Sequence, residues 1–403
     1  MRYKTSEYRL GDIATMKYGK MPEKNKKRDF GYPIFTGYKI AGYYDEYMYK
    51  DPKLIVVARG VGTGDVKLSP PYSYITNLSI IIELNEEIAD KYYMKLYLDS
   101  LNLRYLDSGS AQSQITINDL KNLRINIPEL KIQKRISHTI YLLEDKIELN
   151  NQIIANLEQI AQTLFKHWFI DFEFPNENGE PYKSSGGKMV QSELGEIPEG
   201  WEVALTSDLG SFKNGVNYNR TSTGNTKYEI YNVRNVVGNR FFIQGDIEKI
   251  FLDKDKAQNY TLEKGDILIV RSANPGETVY INNSNYNSVF SGFIIRFRPI
   301  KKYLSTYMFF YFYMMKELLD SFSTGTTLKN LNQQLLKSQK VIIPSKNLIQ
   351  KFHIQVQQIF DLVQLLDNEN KNLQALRDTL LPKLLSGEIE LPDEIEVTEN
   401  VLV

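Results

Sequence analysis

The sequence predicts an α+β protein: a tandem repeat of two strand-rich mixed globular domains separated by two long antiparallel helices that form a coiled coil. Three observations predict it. First, the block "GSAQSQITINDLKNLRINIPELK" at Gly109 returns at Gly325 as "GTTLKNLNQQLLKSQKVIIPSKN". An offset of 216 positions sets Leu120 on Leu336, Ile125 on Val341 and Ile127 on Ile343, and self-similarity at one period marks a repeated structural unit. Second, each block runs into a heptad seam. Ile136, Ile140, Leu143, Ile147, Asn150, Ile154, Leu157, Ala161 and Leu164 alternate in steps of four and three. The same offset leads to Phe352, Val356, Ile359, Val363, Leu366, Asn370, Leu373, Arg377 and Leu380, again mostly apolar. Third, short β-branched runs such as "LIVVA", "SIIIEL", "ILIVR" and "GFIIRF" read as strands.

Taken in order, residues 1–130 form the first globule and 131–170 the first long helix. Residues 171–195 open with "DFEFPNENGEPYKSSGGKM", whose proline, glycine, serine and charge read as a linker. Residues 196–345 form the second globule, 346–390 the second long helix and 391–403 a tail. The globules align more loosely than the helices. "LGDIATMKYGK" sets Lys17 on Lys213 and Gly19 on Gly215, and "LIVVARGVGTGD" sets Arg59 on Arg271 and Gly64 on Gly276. The offset grows from 196 to 212 to 216, so the second copy carries insertions. Each helix extends about 55–60 Å at 1.5 Å per residue. An apolar stripe of that length needs a partner, and the chain's return makes antiparallel pairing of the two copies the natural solution, with the globules at opposite ends.

The composition narrows the chemistry. With 403 residues and no cysteine, two or more domains are expected, and disulfides, cysteine nucleophiles and thiolate metal sites are excluded. His138, His167 and His353 are the three histidines and lie scattered, which disfavours a zinc site or a serine-histidine triad. No apolar run approaches a membrane span, and the N-terminus "MRYKTSEYRLGD" lacks an apolar signal region, so a cytoplasmic protein is expected. Net charge is zero, with 49 basic and 49 acidic residues, so nucleic-acid binding would need a local basic face. "KYGKMPEKNKKR" from Lys17 to Arg28 offers one: Lys17, Lys20, Lys24, Lys26, Lys27 and Arg28 against Glu23 alone.

"VVARGVGTGDVKLSPPY" (Val56 to Tyr72) raises a different possibility, because glycines after a strand and a polar-Pro-Pro-aromatic step occur in enzymes that methylate DNA amino groups. Such an enzyme needs these elements on different strands of one large sheet. Here Gly64 and Ser69 lie five positions apart, and no acidic ribose ligand succeeds them at the proper distance. The second copy, "IVRSANPGETVYINNSN", keeps the strand, the arginine and Gly276 without a glycine cluster or Pro-Pro. "GVGTGD" is therefore expected to be a tight strand connection and "SPPY" a loop.

Four features together resemble the specificity subunit of type I restriction-modification enzymes over essentially the whole chain. They are "LFKHWFIDFEFP" (Leu164 to Pro175), "SELGEIPEGWE" (Ser192 to Glu202), the repeated Gly-to-Pro block and "LRDTLLPKLLSGEIEL" (Leu376 to Leu391). The resemblance implies two target recognition domains, each reading one half of a split double-stranded DNA site. It implies helices that set the spacing and dock two modification subunits, with restriction or translocase subunits joining for cleavage. It implies no catalytic residue, metal or cofactor of the chain's own. Since arginine, asparagine and glutamine read base edges and lysines mostly hold phosphates, the first globule's candidates are the Lys17–Arg28 run, Arg59, Gln112, Gln114 and Thr116. The second globule's are Asn217, Tyr218, Asn219, Arg220, Arg234, Asn235, Arg271, Asn274, Lys329 and Asn330. Arg59 and Arg271 could instead pair with a local carboxylate, and Gln112 and Gln114 could cap the next helix. The alternative reading is a coiled-coil assembly adaptor that never touches DNA.

Overall fold

The computed structural model describes residues 3–107, 113–218, 224–238, 241–243, 245–283, 287–322 and 331–392. The chain divides into two compact units, one of Met1–Glu148 with Lys371–Val403 and one of Leu149–Asn370. Both are mixed α/β, and three sheets of the first have counterparts in the second. In the first unit an antiparallel sheet runs in the order Ala14–Tyr18, Ser79–Leu84, Leu54–Val57, Val66–Leu68. Its counterpart in the second runs Gly210–Asn214, Ile294–Pro299, Ile267–Val270, Thr278–Tyr280. A second sheet pairs Ile40–Tyr44 with Tyr32–Phe35, which lies parallel to Tyr74–Ile75. It is matched by Glu248–Leu252, Thr226–Tyr231 and the parallel Ser288–Phe290. A third ladder joins Thr5–Arg9 to Arg124–Pro128, as Glu202–Leu205 joins Lys340–Ile343. The repeat read from spacing is thus a repeat of topology, down to a parallel strand pair in each copy.

Patterning explains the layers. Leu54–Val57 is apolar at every position and buried on both faces, as a central strand must be. The helix Leu130–Phe165 (α1) and the helix Lys346–Leu385 (α2) carry the heptad seams. Within the first unit, Ile136 and Ile140 of α1 share a core with Leu384 of α2 and with the sheet residues Leu54, Val56, Ile80 and Ile82. Within the second, Ile154, Ala161 and Phe165 of α1 share one with Phe352, Val356, Phe360, Val363 and Leu366 of α2. Both helices run past the last positions of their seams, Leu164 and Leu380. After Phe165 the first helix widens into a π-helical turn at Lys166–Ile170. The second stops at Leu385 because Gly387, at φ +69°, turns the chain. There Glu388 N–H donates to the Lys383 carbonyl and Gly387 N–H to that of Leu384, the double bond pattern of a glycine-capped helix.

Each globule is tied to its helix by polar contacts at repeat-equivalent places. In the first unit the buried Gln133 accepts from Asp90 N–H at 2.9 Å and donates to the carbonyls of Pro128 at 2.8 Å and Ile88 at 3.0 Å. Ser137 donates to Asp90 at 2.9 Å. The positions 216 further on, Thr306 and His353, are also in contact, at 3.2 Å.

The 171–195 stretch is not a loose connector. Phe174 stacks on Tyr182 at 4.5 Å and on Trp201 at 5.1 Å, and Met189–Ser192 forms a hairpin with Gly195–Pro198. Its aromatics supply apolar burial that its proline, glycine and serine content concealed.

Candidate nucleic-acid interface

The basic run of the first globule lies on the surface, but half of its charges have carboxylate partners. Lys17 meets Glu83 at 3.3 Å, Lys26 meets Glu46 at 2.9 Å and Arg28 meets Asp45 at 3.0 Å. Exposed pairs of this kind are weak and exchange readily for phosphate. Lys20, Lys24 and Lys27 have no ion pair among the described residues. Hydrogen bonding to Tyr49, reinforced by Glu83, holds Lys17 above the usual lysine pKa, so it stays a cation. Its ammonium lies 5.6 Å from the centre of the Tyr49 ring, with Lys53 at 5.1 Å from the same ring. The second globule repeats this: Lys213, which the repeat sets on Lys17, lies 5.3 Å from the Tyr260 ring.

Beside the run is a surface that sequence reasoning missed. Tyr32, Tyr47 and Tyr72 meet edge to face at 5.0 and 5.3 Å, all partly exposed, and Phe30 is 83% exposed. Tyrosine crowding between Tyr32 and Tyr49 was the available signal. Rings presented this way suit stacking on bases or sugars.

The glycine cluster is a strand connection. Gly64 N–H donates to the Val57 carbonyl at 2.9 Å, as Gly276 N–H donates to that of Val270 at 3.0 Å. Gly64 has φ +93°, and a Cβ there would come within 2.8 Å of the Arg104 backbone nitrogen. Ser69 is buried and its hydroxyl accepts from Lys53 N–H at 3.0 Å, which fixes "SPPY" as a loop closing a strand pair.

Two predicted readers have other work. Thr116 is the N-cap of Ile117–Lys121: its hydroxyl accepts from Asp119 N–H and itself donates to the Asp119 carboxylate at 2.6 Å. Asn235 is 1% exposed, accepts from Asn232 N–H at 3.0 Å and donates to the Asp246 carbonyl at 3.2 Å. Asn235 is thus buried away from any base edge, and the half-buried Thr116 hydroxyl is engaged in its cap. Gln114 sits in a bridge to Arg59, with its N–H on Asp107 at 2.8 Å. The Arg59 Nε is buried without a hydrogen-bond partner among the described residues, so no local carboxylate meets that atom there.

In the second globule the structure gathers several candidates. Asn217 is exposed and its side-chain oxygen lies over Gly292, where a Cβ would be 2.1 Å from it. Tyr218 OH is 3.4 Å from both Asn232 and Glu248, and Arg234 is 4.0 Å from the same Glu248. Arg271 is half-buried, its N–H held by the Phe293 carbonyl at 3.0 Å and its carbonyl by Leu331 N–H at 2.8 Å. Phe293, at 61% exposure, projects beside it, and Asn274 is exposed on the adjoining turn. Phe293 and Asn232 carried no sequence signal. Gln112, Asn219, Arg220, Lys329 and Asn330 lie outside the described residues.

The type I restriction modification DNA specificity domain family matches residues 4–159 and 198–377. The HindI type I restriction enzyme specificity subunit of Haemophilus influenzae is 28% identical over 352 residues, which cover 68% of this chain and 71% of that protein. The MjaIX specificity subunit of Methanocaldococcus jannaschii is 27% identical over 311 residues, covering 75% of this chain and 69% of its own. In fold, the chain is similar to the crystal structure of the type I restriction-modification S subunit from M. genitalium, with a TM-score of 0.68 at 18% identity over 95% of this chain and 96% of that one. Two matched segments, one on each repeat, agree with the duplicated topology, and the chain belongs to the type I restriction modification DNA specificity family.

Proposed function

We propose that this chain is the DNA-recognition subunit of a type I restriction-modification complex, and that each globule reads one half of an asymmetric, two-part site on double-stranded DNA. The observation that carries this reading is two globules of one topology with different exposed chemistry. The first offers Lys20, Lys24 and Lys27 beside a tyrosine surface, the second Asn217, Arg234, Arg271 and Phe293. A shared scaffold bearing unlike surfaces suits two unlike half-sites. In this proposal residues 1–130 and 196–345 are the recognition domains, with 171–195 joining the repeats and 391–403 a tail. The helical segments 131–170 and 346–390 set the spacing and dock two modification subunits, which supply the methyl-transfer chemistry. Restriction or translocase subunits join the same assembly in the cytoplasm, and the chain itself contributes recognition without a catalytic group.

Binding of the assembled complex to duplexes over a salt series tests the reading. Sequence-independent phosphate contacts make the logarithm of affinity fall by about 0.9 per contact for each decade of salt. Substituting Lys20, Lys24 and Lys27 by glutamine should weaken binding to all duplexes and reduce that slope by about 2–3, leaving the preferred half-sites unchanged. An unchanged slope would remove the run from the interface. No DNA binding by the intact complex would favour the assembly-adaptor reading instead.

A further inference from the structure

The duplication creates a pairing problem. Two helices with matching apolar seams can pair with each other or each with its own counterpart in a second copy of the chain. The sharpest difference between these choices falls on two asparagines buried in the seam, Asn150 at 0% and Asn370 at 5% exposure. Asn150 Nδ2 donates to Asn370 Oδ1 at 3.0 Å and to Glu369 at 2.8 Å, and Asn370 Nδ2 donates to Asn151 at 3.2 Å. One turn further along α1 and one turn back along α2, Ile154 and Leu366 are buried in one apolar core.

The repeat offset decides what the alternatives would look like. Position 150 of α1 is equivalent to Leu366 of α2, and position 154 to Asn370. If α1 of a second copy took the place of α2, Ile154 would stand where Asn370 stands, and Asn150 would be buried against it. If α2 paired with another α2, Leu366 would stand in the place of Asn150, facing Asn370. By symmetry each like-with-like pair holds two such mismatches. Only the α1–α2 combination sets asparagine opposite asparagine, and a buried amide facing an apolar side chain forfeits its hydrogen bonds.

We propose that the Asn150–Asn370 pair makes each long helix choose the other helix of its own chain over its counterpart in a second copy. The choice matters during synthesis. Between the end of α1 at Phe165 and the start of α2 at Lys346, roughly ten to forty seconds elapse at about 5–20 residues per second. Throughout that interval an exposed α1 seam can meet another α1. A buried polar residue in a coiled-coil seam sets partner choice while lowering stability, and the Asn150 Oδ1, without a hydrogen-bond partner among the described residues, is a sign of that cost. The pairing argument stands without the DNA reading. Joined to it, heterotypic pairing keeps two unlike recognition globules in one assembly.

Co-expression of two differently tagged full-length chains tests this, with the mixed-tag fraction measured by tandem pull-down and by mass. Wild type should yield single-tag monomers. The N150L/N370L variant, which removes the mismatch from every like-with-like pair, should raise the mixed-tag fraction about tenfold or more, with a melting temperature no lower than wild type. N150K/N370D, which restores a complementary pair near Glu369, should return the fraction to the wild-type level. The proposal is overturned if N150L/N370L stays as single-tagged as wild type, if it fails to fold, or if N150K/N370D mixes as freely as the leucine variant.

Discussion

Exchanging residues 1–130 for the matching stretch of a relative with a different target should replace one half of the recognised site and leave the other half as it was. The expectation rests on where the candidate contacts sit. Lys20, Lys24, Lys27 and the Tyr32, Tyr47 and Tyr72 cluster all lie in the first unit, and Asn217, Arg234, Arg271 and Phe293 all lie in the second. The exchange point after Leu130 falls at the first residue of α1, past the end of the strand Arg124–Pro128, so it leaves the strand whole and the helix intact beyond its first position. Gln133 reaches across the junction to Asp90 and Ile88, which requires the donor to bring a hydrogen-bonding match there. Half-site preferences of the chimeric complex, read by competition among duplexes varied in one half at a time, check the result. A change in both halves, or in neither, would contradict a one-globule, one-half division.

Phe352→Ala should cost about 3–5 kcal/mol of unfolding free energy, the usual loss for truncating a fully buried aromatic. Phe352 is 0% exposed and its ring meets Phe169 at 4.9 Å, Phe165 at 5.9 Å and both Trp168 and Phe310 at 6.0 Å. It thus joins α2, the end of α1 and the Ser305–Phe322 helix of the second globule. The two tryptophans, Trp168 and Trp201, both belong to this core, so fluorescence-monitored denaturation reports on the second unit. A loss below about 1 kcal/mol would mean that the contact is not the anchor that its burial indicates.

The sequence made the architecture legible because duplication wrote it twice. The 216-residue offset located both seams, and the glycine connection was recognised as structural from its imperfect second copy; Gly64 and Gly276 make matching turn hydrogen bonds. The candidate interface was less legible because its residues find partners far along the chain. Lys17 meets Glu83 and Arg28 meets Asp45 through strand pairing that no local pattern announces. Asn235 and Thr116 look like free polar residues in a string of letters, but turn geometry commits both to capping. The packed state of 171–195 was obscured in the same way: Phe172, Phe174 and Tyr182 are scattered among glycines and prolines, and Trp201, the partner of Phe172 and Phe174, lies beyond the stretch.

Mapping adenine methylation in cells that express this chain with its modification subunits tests most directly whether one chain carries two different readers. The account predicts a single motif of two short specific parts separated by a fixed run of unspecified bases, with the two parts unlike in sequence. A continuous motif, or two halves that are inverted copies of each other, would contradict it.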